Sequence, residues 1–264
     1  AKTEKEVIFD MWNNETSGSS DYGRIRVELD GDASGSPFLI TALSGTSGIY
    51  QQSIGTNLTI SSLKTFQHYA ISLQNSGSSF VTKLYVTGAI EDTNVITGSA
   101  TGPAWTAPLN ALKSKNMMGR IGALLTPAAS PAGPVGAATA GKLSASLDEF
   151  RFWKIARDSN QIARYYNDNI RGGANTDINN ATLGIYFKFN EGITTVATTD
   201  STVLDYSGRI SNGVWTGYGS NSRTTSSAIV DASAASTEYK DPIIYLSHPD
   251  VTSLKTDLLT KGEY

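Results

Sequence analysis

The residues whose types and spacing come closest to a chemical site are three oxygen-bearing side chains in one short loop. Between Glu28 and Pro37, Asp30, Asp32 and Ser34 alternate along the chain. Alternating carboxylate and hydroxyl oxygens ahead of a glycine form the first half of an Asp-rich calcium loop. No glutamate stands where an EF-hand has its twelfth ligand. The loop predicts a calcium site, with a polar hairpin between two strands as the alternative interpretation.

Nucleophiles and general bases are scarce in this sequence. It has no cysteine, no Gly-x-Ser-x-Gly turn, no phosphate-binding loop and no dinucleotide fingerprint. Its two histidines, His68 and His248, lie in a strand pattern and before a proline-started helix, and we expect structural roles for both. The residue types present therefore argue against nucleophilic catalysis.

Aromatic side chains suggest a binding chemistry instead, because aromatic faces supported by polar groups are suited to sugar rings. Trp105 lies in a loop of small residues, Gly102-Pro-Ala-Trp-Thr-Ala-Pro108, where no strand requires a bulky side chain. We predict Trp105 as the first ligand-binding residue, followed by Tyr50, Trp215 and Tyr218. The alternative is that Trp105 plugs the open end of a β-sandwich.

The composition indicates a globular chain with many turns. Of its 264 residues, 39% are hydrophobic and 17% are charged, and 25 glycines separate the short apolar runs. The net charge of −3 gives no electrostatic reason to expect nucleic acid as a partner. The N-terminus lacks a signal-peptide pattern, and no run approaches the roughly 18 apolar residues of a membrane span. We expect no membrane insertion, and we expect the chain to be an excerpt of a longer protein.

Short strands must position these residues, because β-type runs bounded by polar turns recur along the chain. The predicted strands cover residues 7–12, 24–29, 38–43, 58–60, 66–73, 80–86, 117–125, 147–153, 184–189 and 213–217. In the run at 80–86, alternation predicts a buried face and a half-solvated face: Phe80, Thr82, Leu84 and Val86 against Val81, Lys83 and Tyr85.

Two helices and one long loop complete the predicted elements. Asp158 and Gln161 form a capping-box pattern, which predicts a short helix ending near Ile170. Residues 127–140 predict a surface loop. An amphipathic helix is predicted from Pro249 onward. We therefore divide the chain into one β-sandwich over residues 1–220 and a linker with a C-terminal helical extension over residues 221–264.

Three passages of the chain carry a family pattern. The first joins Phe66-Gln-His-Tyr69 to Lys83-Leu-Tyr-Val-Thr-Gly88, the second runs from Gly141 to Trp153, and the third joins Leu183–Gly192 to Val203–Gly213. They resemble the laminin-G-like domains of the concanavalin A-like lectin and glucanase superfamily. The motif order departs from the family, because the opening strands follow the closing strand. Either the chain runs from one module into the next, or the strands form one rearranged sandwich, which we favour.

The resemblance implies an all-β, concanavalin A-like jelly-roll sandwich of two antiparallel sheets with one or two short helices. The superfamily's glucanases carry the pattern Glu-x-Asp-x-(x)-Glu on one strand, which suits a retaining mechanism, and this chain has no such run. Asp148 is similar to a structural position of the family, and we expect it to point away from Glu149. Calcium on loops is frequent among laminin-G-like relatives, which favours the predicted metal site.

A looser resemblance links the third passage and the C-terminal tail to virion structural proteins of marine tailed phages. We therefore expect a non-catalytic, lectin-like carbohydrate-binding or adhesion module, not an enzyme, in a larger virion or extracellular surface protein. Its expected partner is a glycan or a neighbouring virion or surface protein. The alternative is a purely structural virion assembly module with no soluble ligand, and a glycoside hydrolase is less favoured than either.

Overall fold

The structure is a computed structural model that describes residues 5–16, 19–45, 47–76, 79–97, 116–125, 141–168, 170, 182–191 and 194–217. The strands in these ranges are β1 Glu6–Trp12, β2 Gly23–Leu29, β3 Phe38–Ser44, β4 Ser47–Ile54, β5 Tyr69–Ser76, β6 Ser79–Val86, β7 Ala89–Thr97, β8 Met118–Ile121, β9 Phe150–Trp153, β10 Leu183–Phe187, β11 Thr202–Val203 and β12 Gly213–Val214. The helices are α1 Ser159–Tyr165 and α2 Ala197–Asp200, with a 3-10 turn at Ser62–Lys64. No helix in these ranges combines the length and the apolar character that a membrane crossing requires.

The chain divides into two compact units. The first unit consists of Ala1–Leu147 and Trp153–Asn167, and the second of Asp148–Phe152 and Asp168–Tyr264. Strands β1 to β8 and helix α1 belong to the first unit. Strands β10 to β12, helix α2 and most of β9 belong to the second. A single sandwich over residues 1–220 stays a prediction.

A five-stranded antiparallel sheet in the first unit has the order β4-β3-β2-β1-β8. Strand alternation gives it two different faces. On one face Phe9 lies beside Val27, which lies beside Ile40. On the other face Asp10 lies beside Arg26, which lies beside Thr41. Both rows are buried, so charged side chains form one of the covered surfaces of this sheet.

A three-stranded antiparallel sheet in the first unit has the order β5-β6-β7. Its inner face presents Phe80, Thr82 and Leu84, all fully buried, as the alternation predicts, whereas Val86, predicted on the same face, is partly exposed. The two sheets meet where the ring of Phe38 in β3 lies 5.3 Å from the ring of Tyr69 in β5. The first unit is therefore mostly β, with two antiparallel sheets of five and three strands.

Asp92 in β7 joins the same two sheets by hydrogen bonds. Its Oδ2 accepts from the N–H of Gly55 at 2.8 Å and from both the N–H and the hydroxyl of Thr56. Burial alone raises the pKa of Asp92, but these hydrogen bonds outweigh it and hold the pKa below its ordinary value. The carboxylate of Asp92 therefore serves to hold the turn that follows β4.

The second unit contains two small strand pairs in its described part. Strand β9 pairs with β10, and β11 pairs with β12. The predicted runs at 184–189 and 213–217 are confirmed as strands but are shorter than predicted. Asp205 anchors the loop before β12, because its carboxylate accepts from the N–H groups of Tyr186, Ser207 and Ser211 at 2.9–3.0 Å. Hydrogen bonds to the Asp205 carboxylate, and not apolar packing, therefore hold this loop.

Most predicted strands of the first unit are confirmed, with errors around residues 58–68. The run at 58–60 forms no strand, since Leu58 closes a turn in which its N–H donates to the carbonyl of Gly55. Strand β5 begins at Tyr69, and Phe66 is exposed. Strands β4 and β7 were not predicted, because polar residues such as Gln52 and Asp92 interrupt their apolar patterns.

The helix predicted after Asp158 is confirmed together with its capping box. The side chain of Asp158 accepts from the N–H of Gln161, and the side chain of Gln161 accepts from the N–H of Asp158. The helix is shorter than predicted and ends at Tyr165. Ile162 is the buried residue of this helix, and its packing holds the helix in place.

Candidate functional site

A cleft of about 200 Å³ lies on the outer face of the three-stranded sheet. Its floor is formed by cross-strand pairs of β5 and β6, Ser72 with Lys83 and Gln74 with Val81, together with Tyr85. Its wall is the segment 156–159, which leads into α1. Because strand alternation turns the apolar side chains of β6 inward, hydrogen-bonding groups are left facing the cleft.

The position of α1 against the sheet sets the shape of this cleft. The hydroxyl of Tyr85 lies 3.2 Å from the hydroxyl of Ser159, which links the floor to the wall. Gly88, in the turn between β6 and β7, has a φ of +80°, and a Cβ there would lie 2.7 Å from the ring of Tyr166. Only glycine combines this backbone conformation with so close an approach. The turn therefore lets the helix pack directly on the β6–β7 end of the sheet.

Tyr85 corrects the prediction that it lies on a half-solvated face. Its side chain is 1% exposed, whereas Val81 and Lys83 on the same face are partly exposed. The segment leading into α1 covers Tyr85, and a register shift between Leu84 and Tyr85 interrupts the pairing with β7. Strand alternation predicts the face on which a side chain lies, but it does not predict which other segment of the chain covers that face.

Arg157 contributes a fixed cation to the wall of the cleft. Its guanidinium carbon lies 4.0 Å from the centre of the Trp153 ring and 5.9 Å from that of Tyr165. Arg157 as a whole is only 9% exposed. Stacking on an aromatic face holds a guanidinium in one orientation.

The described lining of the cleft carries more cationic than acidic side chains. Among the described residues that line it, Lys83 and Arg157 are cationic and Asp158 alone carries a carboxylate. Oδ1 of Asp158 already accepts from the N–H of Gln161 at 2.8 Å. A retaining or inverting glycosidase needs two carboxylates across the bond that it cleaves. These lining residues provide hydrogen bonds and positive charge, without that pair.

The second notable surface is the charged face of the five-stranded sheet. Arg24 donates from Nε to Oδ1 of Asp10 at 2.8 Å and also reaches Oδ2, and both side chains are at most 1% exposed. Arg26 lies 2.9 Å from Glu28. Burial alone lowers the pKa of Arg24, but the hydrogen bond and charge of Asp10 raise it above its ordinary value.

Residues near β8 and beyond complete the ionic network of this face. The N–H of Leu125 donates to Oδ2 of Asp10 at 2.9 Å. Arg120 of β8, which pairs with Asp10, donates to the carbonyl of Leu124. The carboxylates on this face are engaged by backbone and arginine donors, so we assign them to the scaffold.

Of the four predicted sugar-binding residues, the structure describes Tyr50 and Trp215, one in each unit. Tyr50 in β4 is half-buried and packs against Tyr22 and Leu43 in the first unit. Burial raises its pKa above the ordinary value, although the nearby charge of Arg26 opposes this shift. Trp215 in the second unit is half-buried and meets the ring of Phe189 edge-on at 6.3 Å. Trp105 and Tyr218 lie outside the described residues.

The predicted calcium loop forms the hairpin between β2 and β3. Oδ1 of Asp30 accepts from the N–H of Asp32 at 3.2 Å, and its carbonyl accepts from the N–H of Ala33. Asp32 and Ser34 are exposed. In the part of the chain that the structure describes, no three His, Cys, Asp or Glu side chains are grouped around a possible metal position. Calcium at Asp30, Asp32 and Ser34 stays a prediction.

The acidic pair before β9 differs from the predicted arrangement. Strand β9 begins only at Phe150, and Glu149 has a φ of +54°, so strand alternation does not set the directions of Asp148 and Glu149. Oδ1 of Asp148 accepts from the N–H of Glu149 at 3.0 Å. Glu149 accepts from the hydroxyl of Tyr186 and lies 3.4 Å from Arg151.

These contacts bury a polar cluster in the second unit. The guanidinium of Arg151 lies 4.9 Å from the centre of the Tyr186 ring and donates to the carbonyl of Asp168. Burial, aided by the carboxylate of Glu149, raises the pKa of Tyr186 well above its ordinary value, although Arg151 opposes this. The hydroxyl of Tyr186 therefore keeps its proton and acts as a hydrogen-bond donor to Glu149.

Of the two histidines, His68 lies in the first unit, 5.5 Å from the ring of Tyr166, and His248 lies outside the described residues.

Sequence reasoning found four residues of the cleft by pattern and missed the others. Val81, Lys83 and Tyr85 lie on the face of β6 that the alternation predicts as half-solvated, and Asp158 is the predicted helix cap. Ser72, Gln74, Arg157 and Ser159 were not singled out. Tyr85 and Ser159 are 74 residues apart, and no local pattern indicates that the segment before α1 returns to the face of β5 and β6.

Comparison of the chain with protein-family models, with curated proteins and with solved structures finds no match. The assignment of a function therefore depends on the geometry of the described residues.

Proposed function

We propose that this chain is a non-catalytic carbohydrate-binding or adhesion module with a concanavalin A-like jelly-roll sandwich, part of a larger virion or surface protein. The sandwich is supported by two antiparallel sheets that share one unit and meet at Phe38 and Tyr69. The carbohydrate function is carried by one observation, the polar cleft on the outer face of β5 and β6. A lectin-like site of this kind recognises hydroxyl groups through hydrogen bonds and does not cleave the bound sugar.

The side chains around the cleft fit a sugar in type and number. Ser72, Gln74 and Ser159 offer hydroxyl and amide groups that both donate and accept hydrogen bonds. Most of them come from strands, which hold binding groups more precisely than loops do. Trp105, Tyr50, Trp215 and Tyr218 remain predicted aromatic contacts, and a glycan hit that survives Trp105→Ala would remove the first of them.

A glycan array tests the proposed function directly. The purified chain should give reproducible hits, and Gln74→Ala should abolish them, because this side chain lies on the floor of the cleft. Gln52→Ala in β4, outside the cleft, is the matched control and should keep them. Hits that survive Gln74→Ala would mean that sugars bind elsewhere, and a silent array would contradict the carbohydrate function.

The same array, repeated with calcium and with a chelator, addresses the predicted metal. A hit that requires calcium should be lost in Asp30→Ala, because Asp30 is the first ligand of the proposed set with Asp32 and Ser34. A hit that is equal under both conditions would leave the β2–β3 hairpin as a structural turn.

A purely structural virion assembly module is the second candidate, and apolar side chains of the second unit favour it. Val196, Leu204, Ile210 and Val214 are between 42% and 82% exposed. Exposed apolar groups of this kind are typical of surfaces that bind other proteins. If assembly is the function, the chain should self-associate with rising concentration in sedimentation experiments, and Ile210→Ser with Val214→Ser should weaken this association. A monomer at all concentrations would count against self-assembly.

A further inference from the structure

Lys5, Gln51 and Glu28 form a row of hydrogen bonds in the first unit, away from the cleft. Nζ of Lys5 donates to Oε1 of Gln51 at 2.9 Å, and Nε2 of Gln51 donates to Oε2 of Glu28 at 3.3 Å. Lys5 directly precedes β1, Glu28 lies in β2 and Gln51 lies in β4, so the row connects separate strands of the five-stranded sheet. It places an amine, a carboxamide and a carboxylate next to one another in that order.

The backbone of β4 is distorted at Gln51 in a way that turns this side chain towards Glu28. Successive residues of a regular strand point to opposite faces. Here Tyr50 lies with its ring centre 5.9 Å from the guanidinium carbon of Arg26, and Gln51 reaches Glu28, two residues further along the same face of β2. A register shift between β3 and β4 and a φ of +47° at Gln51 make this possible. Bulges and positive φ angles at non-glycine residues are costly and are frequent at reactive sites.

The carboxylate of Glu28 is fixed in place beside the carboxamide. Glu28 is 4% exposed, and its Oε2 also lies 2.9 Å from Nε of Arg26. Beyond its part in the ionic scaffold, this oxygen therefore has a set position next to Nε2 of Gln51. A carboxylate within hydrogen-bonding reach of a departing nitrogen can transfer a proton to it.

The amine of Lys5 is placed to attack the same carboxamide. A lysine amine is a nucleophile once its ammonium group has lost a proton. Cδ of Gln51 is directly bonded to Oε1, the atom that Nζ contacts, so the reacting atoms are one bond away from the observed contact. Holding two groups in such an arrangement replaces an encounter in solution and removes much of the barrier to reaction.

We propose that Lys5 and Gln51 become joined by an intramolecular isopeptide bond, with Glu28 as the group that transfers the proton. Nζ, after it has released one proton to water, forms a bond with Cδ of Gln51. The bond between Cδ and Nε2 then breaks, and Glu28 carries one proton from Nζ to Nε2, which leaves as ammonia. Ammonia takes up one proton from water. One ammonium ion is thus released for each amide that forms, and no electrons are gained or lost overall.

The new bond connects the start of β1 with β4, 46 residues further along the chain. Strands β1, β2, β3 and β4 are consecutive neighbours in the sheet, so all four lie within one covalent ring. A cross-link of this kind restricts the unfolded chain more than the folded chain, as a disulfide does. The inference does not depend on the carbohydrate function, and the failure of either leaves the other standing.

Mass spectrometry of the purified, folded chain tests the proposal. We expect an intact mass that is lower by one ammonia than the mass calculated from the sequence. A tryptic digest should contain a branched peptide that joins Lys5 to Gln51, because trypsin does not cut after an acylated lysine. A chain that keeps its full mass after prolonged incubation, with Lys5 and Gln51 recovered in separate unmodified peptides, overturns the proposal.

Two variants remove one reacting group each. Lys5→Arg keeps the positive charge but has no nucleophilic amine, and Gln51→Met has no carboxamide, so both should keep the full mass. Gln52→Met changes the neighbouring glutamine, whose amide donates to the carbonyl of Ser53, and as the matched control it should form the bond like the wild type. A loss of ammonia that persists in Lys5→Arg or Gln51→Met arises elsewhere in the chain and contradicts the cross-link.

Glu28→Gln tests the proton transfer separately. In chains freshly made by cell-free synthesis and sampled over time, this variant should form the bond at least about 100-fold more slowly than the wild type. Because it leaves Arg26 buried beside a neutral amide, Glu28→Gln is also combined with Arg26→Met, which removes the unpaired charge. Circular dichroism verifies that the double variant is folded. Bond formation at the wild-type rate in this folded double variant overturns the role of Glu28, whereas slow formation supports it.

Discussion

Replacing Arg24 with methionine should lower the free energy of unfolding of the first unit by about 3–5 kcal/mol. The substitution leaves the carboxylate of Asp10, which is fully buried, without the guanidinium that accounts for two of its contacts. Removing one partner of a buried ion pair is far more destabilising than the pair itself is stabilising, because the remaining charge stays desolvated. Denaturant unfolding followed by circular dichroism measures this change.

Two control variants distinguish the effect of the unpaired Asp10 carboxylate on stability from the effect of lost packing at Arg24. Combining Arg24→Met with Asp10→Asn removes the charge but keeps an oxygen that can accept from the N–H of Leu125. This double variant should recover a large part of the lost stability. Lys64→Met, at an exposed position, should change stability by less than about 0.5 kcal/mol. An Arg24→Met protein as stable as the wild type would show that the ion pair is not buried in solution.

Replacing Asp205 with alanine should destabilise the second unit by about 3 kcal/mol, since several hydrogen bonds to one charged group are lost together. The carboxylate accepts from three backbone N–H groups and from the hydroxyl of Ser207. Amide hydrogen exchange at Tyr186, Ser207 and Ser211 reports this directly. Their exchange should accelerate by roughly 100-fold, the ratio that corresponds to about 3 kcal/mol.

The effect of Asp205 should depend on pH in a defined direction. Burial alone raises its pKa, but hydrogen bonds from Ser207, Tyr186 and Ser211 outweigh it and hold the pKa below its ordinary value. A carboxylate with a lowered folded-state pKa contributes stability that is present at neutral pH. That contribution is lost as the pH falls below about 4 and through the lowered value. The difference between wild type and Asp205→Ala should therefore shrink in acid.

A graded variant tests the oxygen count of Asp205 separately from its charge. Asp205→Asn keeps Oδ1, which accepts from Tyr186 and Ser207, but loses the oxygen that accepts from Ser211. We expect about half of the destabilisation seen for alanine. Asp168→Asn, whose side chain is exposed, is the control. Equal exchange rates in all of these variants would refute the anchoring role.

The sequence predicts the β elements well because their signals are local. Alternation in β6 correctly separates Phe80, Thr82 and Leu84 from Val81 and Lys83, since strand geometry alone sets these directions. The capping box at Asp158 is equally local and is confirmed. Strand β7 escapes the pattern, because Glu91 and Asp92 face the turn after β4 and accept its hydrogen bonds. That requirement arises from a segment more than thirty residues away.

The candidate site is less predictable, because it depends on long-range packing. Residue type indicates an ordinary surface arginine at Arg157, and only the structure shows its guanidinium close to the rings of Trp153 and Tyr165. Arg24 and Arg26 read as solvent-facing residues of an amphipathic strand, since arginine is rarely buried unless it is paired. Their burial depends on Asp10 from β1 and Glu28 from β2 itself. Residue type alone would therefore place Arg157, Arg24 and Arg26 at the solvent-exposed surface, which is wrong for all three.

The charged face of the five-stranded sheet also favours one register of strand pairing. If β2 slipped by one residue against β1 and β3, Arg26 would enter the apolar row of Phe9 and Ile40, and Val27 would face Asp10. An apolar-only sheet tolerates such a slip with a loss of packing, whereas here each misplaced arginine becomes an unpaired charge in an apolar row. The ionic rows thus make shifted strand pairings less stable than the native pairing, which favours a single alignment of the sheet.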